Sequence, residues 1–204
     1  MNDTALLFPA FLKLAGRRCL VVGAGLVAEA KIEGLLRAGA KVNVVAPQAT
    51  LKIRAWARAK KIRLAARGFR PADLKDVFVV VAATSSPALH GAIFRQARRR
   101  GVLCNIVDDP ARCDFYYGSV VRRGALQIAI STGGQSPALA QRLRKRMERE
   151  FGLEYARWLE ELGKARKTLF EKAMPPERRR RLLHQLASQV SFEKFLKSRG
   201  VKKT

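Results

Sequence analysis

An apolar run that breaks directly into a glycine-rich turn constrains this chain more than any other feature. The residues Leu20–Val22 have the composition of a buried parallel strand, and Gly-x-Gly-x-x-Ala and a helix-forming stretch follow at once. Gly23 permits the tight turn, Gly25 lets the backbone approach a pyrophosphate, and the small Ala28 lets the helix pack closely on the strand. Amide groups at the start of that helix would bind the anion. The cofactor-binding residues predicted from this motif are Gly23, Gly25, Leu26, Val27 and Ala28.

The residues after this motif complete a βαβ unit. A helix is predicted from Val27 to Ala38 and a second apolar strand over Val42–Ala46, which gives the unit its expected length. Glycine-rich turns also occur for packing reasons alone, so it is the whole unit that favours a dinucleotide site. The acidic residue that usually binds the ribose hydroxyls would fall near Asn43–Gln48, where the sequence has none. The choice between NAD and NADP is therefore weakly encoded.

Strands and helices continue to alternate up to Val107. Helices are predicted over Leu51–Ala59 and from Pro87 to Arg100, and strands over Ile62–Ala65, Val77–Ala82 and Leu103–Val107. The continuous apolar run of the fourth strand is typical of a strand buried on both faces. Strands that alternate with helices in this way predict an α/β fold with a Rossmann-type parallel sheet, right-handed crossovers and ligands at the carboxyl ends of the strands.

Polar residues at those carboxyl ends are the next candidates. Further cofactor-binding residues are predicted where the second, fourth and fifth strands end, namely Pro47, Gln48, Ala83, Thr84 and Asn105. Asp108 directly follows the fifth strand, where cofactor and substrate would meet, and it is the predicted catalytic residue. Asp109 precedes Pro110, and Asp before Pro is common in turns. For Asp109 a turn and a functional role both stay open.

The alternation stops near residue 114. Two strands, Phe115–Val121 and Ala125–Ser131, predict a hairpin, and a helix follows from Ala138 to about Glu150. The Ser-Thr-Gly-Gly turn between hairpin and helix is either a flexible connector or a site whose hydroxyls and amides bind carboxylates or phosphates. The predicted substrate-binding residues are Ser131, Thr132, Gly133, Gly134 and Ser136.

The remaining residues, from Gly152 onward, are predicted to be helical nearly to the end of the chain. A break is expected at Met174–Pro176, because proline cannot continue a helix. The last residues, Arg199–Thr204, have the composition of a frayed basic tail.

Positive charge is the most unusual feature of the composition. Lys and Arg number 41 against 16 Asp and Glu, which gives a formal net charge of +25. Such an excess indicates an anionic partner, either nucleic acid or a polyanionic small molecule, or only a charged solvated surface. Aromatic residues make up 7% of the chain, and no basic segment is interleaved with them as a stacking surface requires. We therefore expect no nucleic-acid partner.

Cysteine usage and hydropathy favour a cytoplasmic chain. Cys19, Cys104 and Cys113 are odd in number and lie in or beside predicted strands, which fits reduced thiols. Spacing gives no metal site, and the two histidines, His90 and His184, are interpreted as surface or packing residues. No apolar run approaches the ~20 residues that span a bilayer, and the first residues lack the basic region and apolar core of a signal peptide. We expect no membrane partner.

Several short segments follow one another in a specific order and spacing along essentially the whole chain. They are Phe8–Leu14, Val22–Lys31, Val45–Pro47, Ala82–Thr84, Cys104–Asp108 and Ser131–Pro137. Together they resemble the siroheme synthase N-terminal region, the family of precorrin-2 dehydrogenases and sirohydrochlorin ferrochelatases.

The resemblance implies a homodimer with NAD as its cofactor. It implies an NAD-binding Rossmann domain over residues 1–114, a dimerisation segment of strands and a helix over 115–150, and a helical domain over 151–204. The implied reaction oxidises precorrin-2, a tetrapyrrole with many carboxylates, to sirohydrochlorin, and some members also insert ferrous iron. The family's key aspartate corresponds to Asp108, which would take a proton from the macrocycle or orient it. Gly118 and Thr132 depart from the pattern, which has proline and often serine there, so regulation by phosphorylation of that serine is not carried over.

Three alternatives stay open on the sequence. The chain is a dehydrogenase without ferrochelatase activity, or a regulatory module that senses NAD without chemistry and leaves Asp108 dispensable. A nucleic-acid-binding protein built on a Rossmann core is favoured only by the charge.

Overall fold

The computed structural model describes residues 7–200 and divides into two compact units, with the boundary between Tyr116 and Tyr117. The first unit contains a parallel sheet with its helices, and the second contains a hairpin and further helices. The predicted domain limits at residues 114 and 150 stay predictions. No helix in the described part of the chain is long and apolar enough to cross a membrane.

Five parallel strands form the sheet of the first unit. They are β1 (Arg18–Val22), β2 (Lys41–Val45), β3 (Arg63–Ala65), β4 (Val79–Ala82) and β5 (Leu103–Ile106). Their order is β3-β2-β1-β4-β5. The strands β2 and β3 therefore lie on one side of β1, and β4 and β5 lie on its other side. Val22 pairs with Val45 of β2 and with Ala82 of β4, so these three strands end side by side. The order is that of a Rossmann sheet, whose ligands bind at this switch point.

Helices cover both faces of the sheet. They are α1 (Leu26–Arg37), α2 (Leu51–Arg58) and α3 (Pro87–Arg99). Successive side chains of a strand point to opposite faces. Val21 packs in one buried cluster with Ile32 of α1 and Ile53 of α2, while Leu20 packs in the other cluster with Ile93 of α3. The predicted α/β fold class is confirmed.

The second unit contains an antiparallel hairpin and four helices among its described residues. They are β6 (Ser119–Arg123), β7 (Leu126–Ile130), α4 (Pro137–Glu150), α5 (Glu154–Glu171), α6 (Pro176–Leu186) and α7 (Gln189–Ser198). Phe192 of α7 is fully buried against Tyr155 and Trp158 of α5, with ring centroids 4.5 and 4.6 Å away. This aromatic packing joins α7 to α5, although a break at two prolines separates α5 from α6.

The hairpin begins later than the sequence predicts. Residues 115–118 are not in a strand, because the chain before them is fastened beside β5 by side chains. Asp114 accepts a hydrogen bond from the Cys104 amide at 2.8 Å and donates its own amide to the Cys104 carbonyl, also at 2.8 Å. The Asn105 side-chain amide donates to the Phe115 carbonyl at 2.9 Å. These bonds fix Asp114 and Phe115 beside β5 before the hairpin begins.

Three further local features differ from the sequence prediction. Short 3₁₀ helices occupy Pro71–Leu74 and Pro110–Arg112. The predicted helical region after Pro176 has a second break, because the Ser188 hydroxyl accepts a hydrogen bond from the Ser191 amide at 3.3 Å and starts α7. Helix α7 ends at Ser198, and the predicted tail lies outside the described residues from position 201 onward.

Candidate active site

The turn between β1 and α1 needs glycine at its first position. Gly23 has φ +103°, and a Cβ added to it would lie 2.1 Å from the carbonyl oxygen of Ala83. The Gly23 amide donates to the Val45 carbonyl at 2.9 Å, and the Ala83 amide donates to the Val22 carbonyl at 2.8 Å. The ends of β1, β2 and β4 are thereby joined around this one residue, and no side chain fits there.

Gly25 has a different role, because its backbone is not strained. It is the N-cap of α1 with φ −87°, and no side chain caps the helix. A Cβ added to Gly25 would have nothing within 4 Å. No side chain therefore caps the amides of the first turn of α1, and a helix start with uncapped amides attracts anions. The geometry fits the pyrophosphate of a dinucleotide.

A cleft of about 950 Å³ opens at these strand ends. Ligand sites of this kind range up to roughly 1,000 Å³, so a dinucleotide fits. The lining residues are Gly23, Ala24, Gly25, Leu26, Val27, Ala46, Pro47, Gln48, Ala83, Thr84, Ser85, Pro87, His90, Val107, Asp108 and Asp109. Most of the predicted cofactor-binding residues and the predicted catalytic residue thus share one cleft.

Two predicted cofactor-binding residues lie outside the set that lines this cleft. Ala28 is fully buried, which agrees with the close packing of α1 on the sheet that its small side chain predicts. Asn105 is 6% exposed, and its amide is engaged with the Phe115 carbonyl. In this structure Asn105 holds the chain after β5.

The loop after β2 is fastened to α1. The Thr50 amide donates to the Ala24 carbonyl at 3.1 Å, and the Thr50 hydroxyl donates to the Glu29 carboxylate at 2.6 Å. The same hydroxyl caps α2 by accepting from the Ile53 amide at 3.3 Å. These bonds fix the course of the loop that carries Pro47 and Gln48 along the cleft.

Asp108 stands at the end of β5 in an uncommon backbone conformation. Its φ is +61°, in the left-handed region, which Asp and Asn tolerate better than most residues. The Asp109 amide closes the turn on the Ile106 carbonyl at 3.2 Å, and the Asp109 carboxylate forms an ion pair with Arg112. The turn is therefore present, and within it Asp109 is held by Arg112 while Asp108 is exposed at the cleft.

A lysine of α1 lies within electrostatic reach of Asp108. Burial lowers the pKa of the Lys31 ammonium from its usual value, while the charges of Asp108 and Cys113 act in the opposite direction. Among the cleft-lining residues, carboxylates are contributed only by Asp108 and Asp109. The carboxylates of the cleft therefore lie just after β5, where proton transfer is predicted.

His90 is a cleft residue that the sequence interpretation missed. The sequence predicts a surface or packing residue at this position, and the structure places His90 half-buried in the first turn of α3, where it also lines the cleft. Its Nε2 lies 2.7 Å from the carbonyl oxygen of Thr84. The position of His90 in the sequence indicates its place at the cleft, because the first turn of a helix that follows a central strand lies at the ligand edge of the sheet.

The predicted substrate-binding residues form one turn before α4 in the second unit. Gly133 and Gly134 have φ of +62° and +84°. Hydroxyls organise the turn: Thr132 accepts from the Ser136 amide at 3.1 Å, and Ser136 accepts from the Leu139 amide at 3.2 Å. The turn is ordered by its own side chains, and its role in substrate binding stays a prediction.

Comparison with known proteins decides the family. Residues 10–119 match the model of a protein family described as "Putative NAD(P)-binding". The chain belongs to this NAD(P)-binding family. Residues 123–150 match a second family model, described as "Sirohaem biosynthesis protein central". The sequence resemblance to the siroheme synthase N-terminal region family is confirmed, and so is the prediction of NAD as cofactor.

The chain is also similar to siroheme synthases and to one solved structure. The chain is 41% identical over 140 residues to a siroheme synthase of Nitrosococcus oceani, which is 69% of this chain and 30% of that protein. It is 44% identical over 140 residues to siroheme synthase 1 of Yersinia enterocolitica, with the same coverages. The structure of SirC, a precorrin-2 dehydrogenase, superposes with a TM-score of 0.76 at 27% identity and covers 94% of this chain and 98% of SirC. The chain thus spans about a third of the length of the matched siroheme synthases and nearly all of SirC.

Proposed function

We propose that this chain is an NAD-dependent dehydrogenase that oxidises precorrin-2 to sirohydrochlorin in siroheme biosynthesis. The observation that carries the proposal is the cleft at the switch point of the sheet, which both the glycine turn and Asp108 line. The likeness to SirC over almost the full length of both chains supports the same activity. The match of residues 123–150 to a sirohaem biosynthesis family supports the same pathway.

The cofactor is held by backbone rather than by charged side chains. The open amides at Gly25 and the first turn of α1 bind the pyrophosphate, and the strand ends at Pro47–Gln48 and Ala83–Thr84 line the rest of the site. When bound, NAD accepts a hydride from the substrate. The chain's part is to hold the dinucleotide against the carboxyl ends of the strands.

Asp108 removes the proton that leaves with this oxidation. Conversion of precorrin-2 to sirohydrochlorin releases one hydride, which goes to NAD, and one proton, which a positioned carboxylate takes up. Asp108 is exposed at the cleft and lies in the electrostatic field of Lys31. Asp109 is held by Arg112, so it belongs to the turn rather than to the reaction.

The substrate carries many carboxylates, and both the positive net charge of the chain and one turn of its second unit suit such groups. The formal net charge of +25 favours polyanionic ligands. The turn of Ser131, Thr132, Gly133, Gly134 and Ser136 offers amides and hydroxyls at the start of α4, the groups that suit a carboxylate. We assign substrate binding to this turn.

A homodimer is the oligomeric state we propose. Within the described residues β6 and β7 pair only with each other, so the outer edge of each strand has no further strand beside it. Unpaired strand edges bind further strands, so the segment Phe115–Glu150 supplies most of the dimer contact. Light scattering at micromolar concentration is expected to give a dimer, and a monomer there would contradict this assignment.

Turnover of precorrin-2 tests the proposal. Purified protein with precorrin-2 and NAD should form NADH, which is measured by its absorbance. Asp108→Ala should lower turnover by roughly 100-fold to 10,000-fold, the usual contribution of a positioned acid or base, with little change in NAD affinity. Asp109→Ala is the matched control, and it should lose some stability but keep near-normal turnover per folded molecule.

Three results would redirect the assignment. Equal and small losses in both variants would mean that Asp108 only completes the turn before Pro110. NAD binding without turnover of precorrin-2 would favour a regulatory module. The absorbance change of the tetrapyrrole on addition of ferrous iron to sirohydrochlorin tests iron insertion, where the same carboxylate would take protons from the pyrrole nitrogens. If Asp108→Ala keeps iron insertion while it loses dehydrogenation, the shared-carboxylate hypothesis is wrong.

A further inference from the structure

His90 forms a hydrogen bond that fixes one wall of the cofactor cleft. Its Nε2 lies 2.7 Å from the carbonyl oxygen of Thr84, and both residues line the cleft. A carbonyl oxygen only accepts, so Nε2 carries the hydrogen and donates it. In the neutral ring this leaves Nδ1 as an acceptor, which sets the tautomer of the side chain.

The segment that receives this bond is fixed by the sheet only as far as Ala83. The Ala83 amide is bonded to Val22 across the sheet at 2.8 Å, and the Ala83 carbonyl stands so close to Gly23 that a Cβ would lie 2.1 Å from it. The strand β4 itself ends at Ala82, and the exposed Ser85 leads into α3. The peptide after Ala83 therefore leaves the support of the sheet at the point where it borders the glycine turn.

Side chains replace the sheet beyond that point. The Thr84 hydroxyl accepts from the Ser86 amide at 3.3 Å, and the Ser86 hydroxyl caps α3 by accepting from the Leu89 amide at 3.4 Å. His90 adds its bond to the Thr84 carbonyl from the opposite end of the same turn. The 2.7 Å bond is the shortest of the three, and it ties the strand end to the body of α3.

We infer that His90 is a positioning residue for the cofactor. It holds the Ala83–Ser85 segment in the conformation that leaves the cleft open beside Gly23 and Gly25. This inference rests on the proposed NAD site and goes beyond it, because it assigns cofactor affinity to a side chain on α3. His90 acts on binding of the dinucleotide and not on the proton transfer at Asp108, which lies at the end of a different strand.

Two variants separate the hydrogen bond from the bulk of the ring. His90→Leu keeps apolar volume but has no donor, and His90→Gln supplies an amide N–H that can donate to the same carbonyl. His184→Ala, at the chain's other histidine, exposed on α6, is the control. All proteins are titrated with NAD by calorimetry at a temperature where circular dichroism shows each of them folded.

The expected result is a selective loss of cofactor affinity. His90→Leu should raise the Kd for NAD by roughly 3-fold to 10-fold, the effect of losing one hydrogen bond of ordinary strength. His90→Gln should stay within about twofold of the wild type, and His184→Ala should not change. In turnover, His90→Leu should raise the KM for NAD and leave kcat at saturating NAD nearly unchanged.

The outcomes that contradict the inference are distinct from those that contradict the function. Wild-type affinity in His90→Leu, or an equal loss in His90→Gln, would overturn the role of the hydrogen bond while the NAD site stands. A wild-type protein that does not bind NAD would overturn the cofactor site itself, and the role of His90 with it. A fall in kcat with unchanged KM in His90→Leu would assign His90 to the reaction and overturn the positioning role.

Discussion

Replacing Gly23 by alanine should damage the fold, because two independent constraints exclude a side chain there. The added Cβ would lie 2.1 Å from the Ala83 carbonyl oxygen, and real Cβ atoms do not come closer than 3.0 Å to such an atom. The nearest atoms, the Ala83 carbonyl oxygen and carbon, belong to the backbone, and the Ala83 amide is bonded to Val22, so the carbonyl is not free to rotate away. In addition, φ of +103° at this position is strained for any residue with a Cβ.

The size of the effect follows from these two terms. Holding a non-glycine residue in a sparsely populated backbone region costs roughly 1 to 3 kcal/mol. Forcing extra volume into a closely packed site costs roughly another 1 to 3 kcal/mol. The sum of about 2 to 6 kcal/mol is a large part of the roughly 5 to 15 kcal/mol by which a domain is stable. With an m-value of about 2 kcal/mol/M, the urea midpoint should fall by roughly 1 to 3 M.

Gly25→Asp is the matched comparison in the same turn. Gly25 has φ −87° and open space around a would-be Cβ, so the variant should unfold at nearly the wild-type urea concentration. Its carboxylate would occupy the space of the pyrophosphate and repel it, so NAD binding should be lost. Urea unfolding and NAD calorimetry on both variants check the pair. A wild-type midpoint for Gly23→Ala would refute the steric argument, and wild-type NAD affinity for Gly25→Asp would refute the location of the site.

Two further predictions concern buried and paired side chains. Burial raises the pKa of Cys19 to about 11 and that of Cys104 to about 12. Iodoacetamide at pH 8 should therefore leave both thiols unlabelled in the folded protein and label both in urea, as followed by peptide mass spectrometry. Rapid labelling of either thiol in the folded protein would contradict this. The Arg67 guanidinium, which donates to both Asp73 oxygens at 2.9 and 2.6 Å, lowers the pKa of Asp73, so the pair stabilises the fold above the unfolded pKa of about 4. Asp73→Asn should therefore be less stable than the wild type in urea at neutral pH, with the difference vanishing as the pH falls through the folded pKa of Asp73, whereas a constant difference would show that the charge is not responsible.

The cofactor turn is predictable from the sequence, because its residues are required by the local backbone or by their own helix. Gly23 is required by its own backbone angle and Ala28 by the packing of its own helix, so a motif of six positions carries the information. Strands such as Val79–Ala82 were predictable for the same reason, because a continuous apolar run is buried wherever it lies in a parallel sheet.

Residues whose role depends on distant partners were not predictable in this way. His90 was interpreted as a surface or packing residue, since the carbonyl that it contacts belongs to the end of another element. Residues 115–118 have the apolar and aromatic composition of a strand, but the Asn105 side chain holds the Phe115 carbonyl at β5 and no strand forms there. A single sequence does not show which carbonyl a buried amide will meet.

The close approach of Gly23 to Ala83 also has a kinetic meaning. These residues are far apart in the chain, and they meet only when β4 has paired with β1 in register. Non-local parallel pairing of this kind is slow to form. The β1–α1 turn gains its neighbour late in folding, so the ability to bind NAD should recover with the slowest refolding phase, well after the helices and most of the ellipticity have returned.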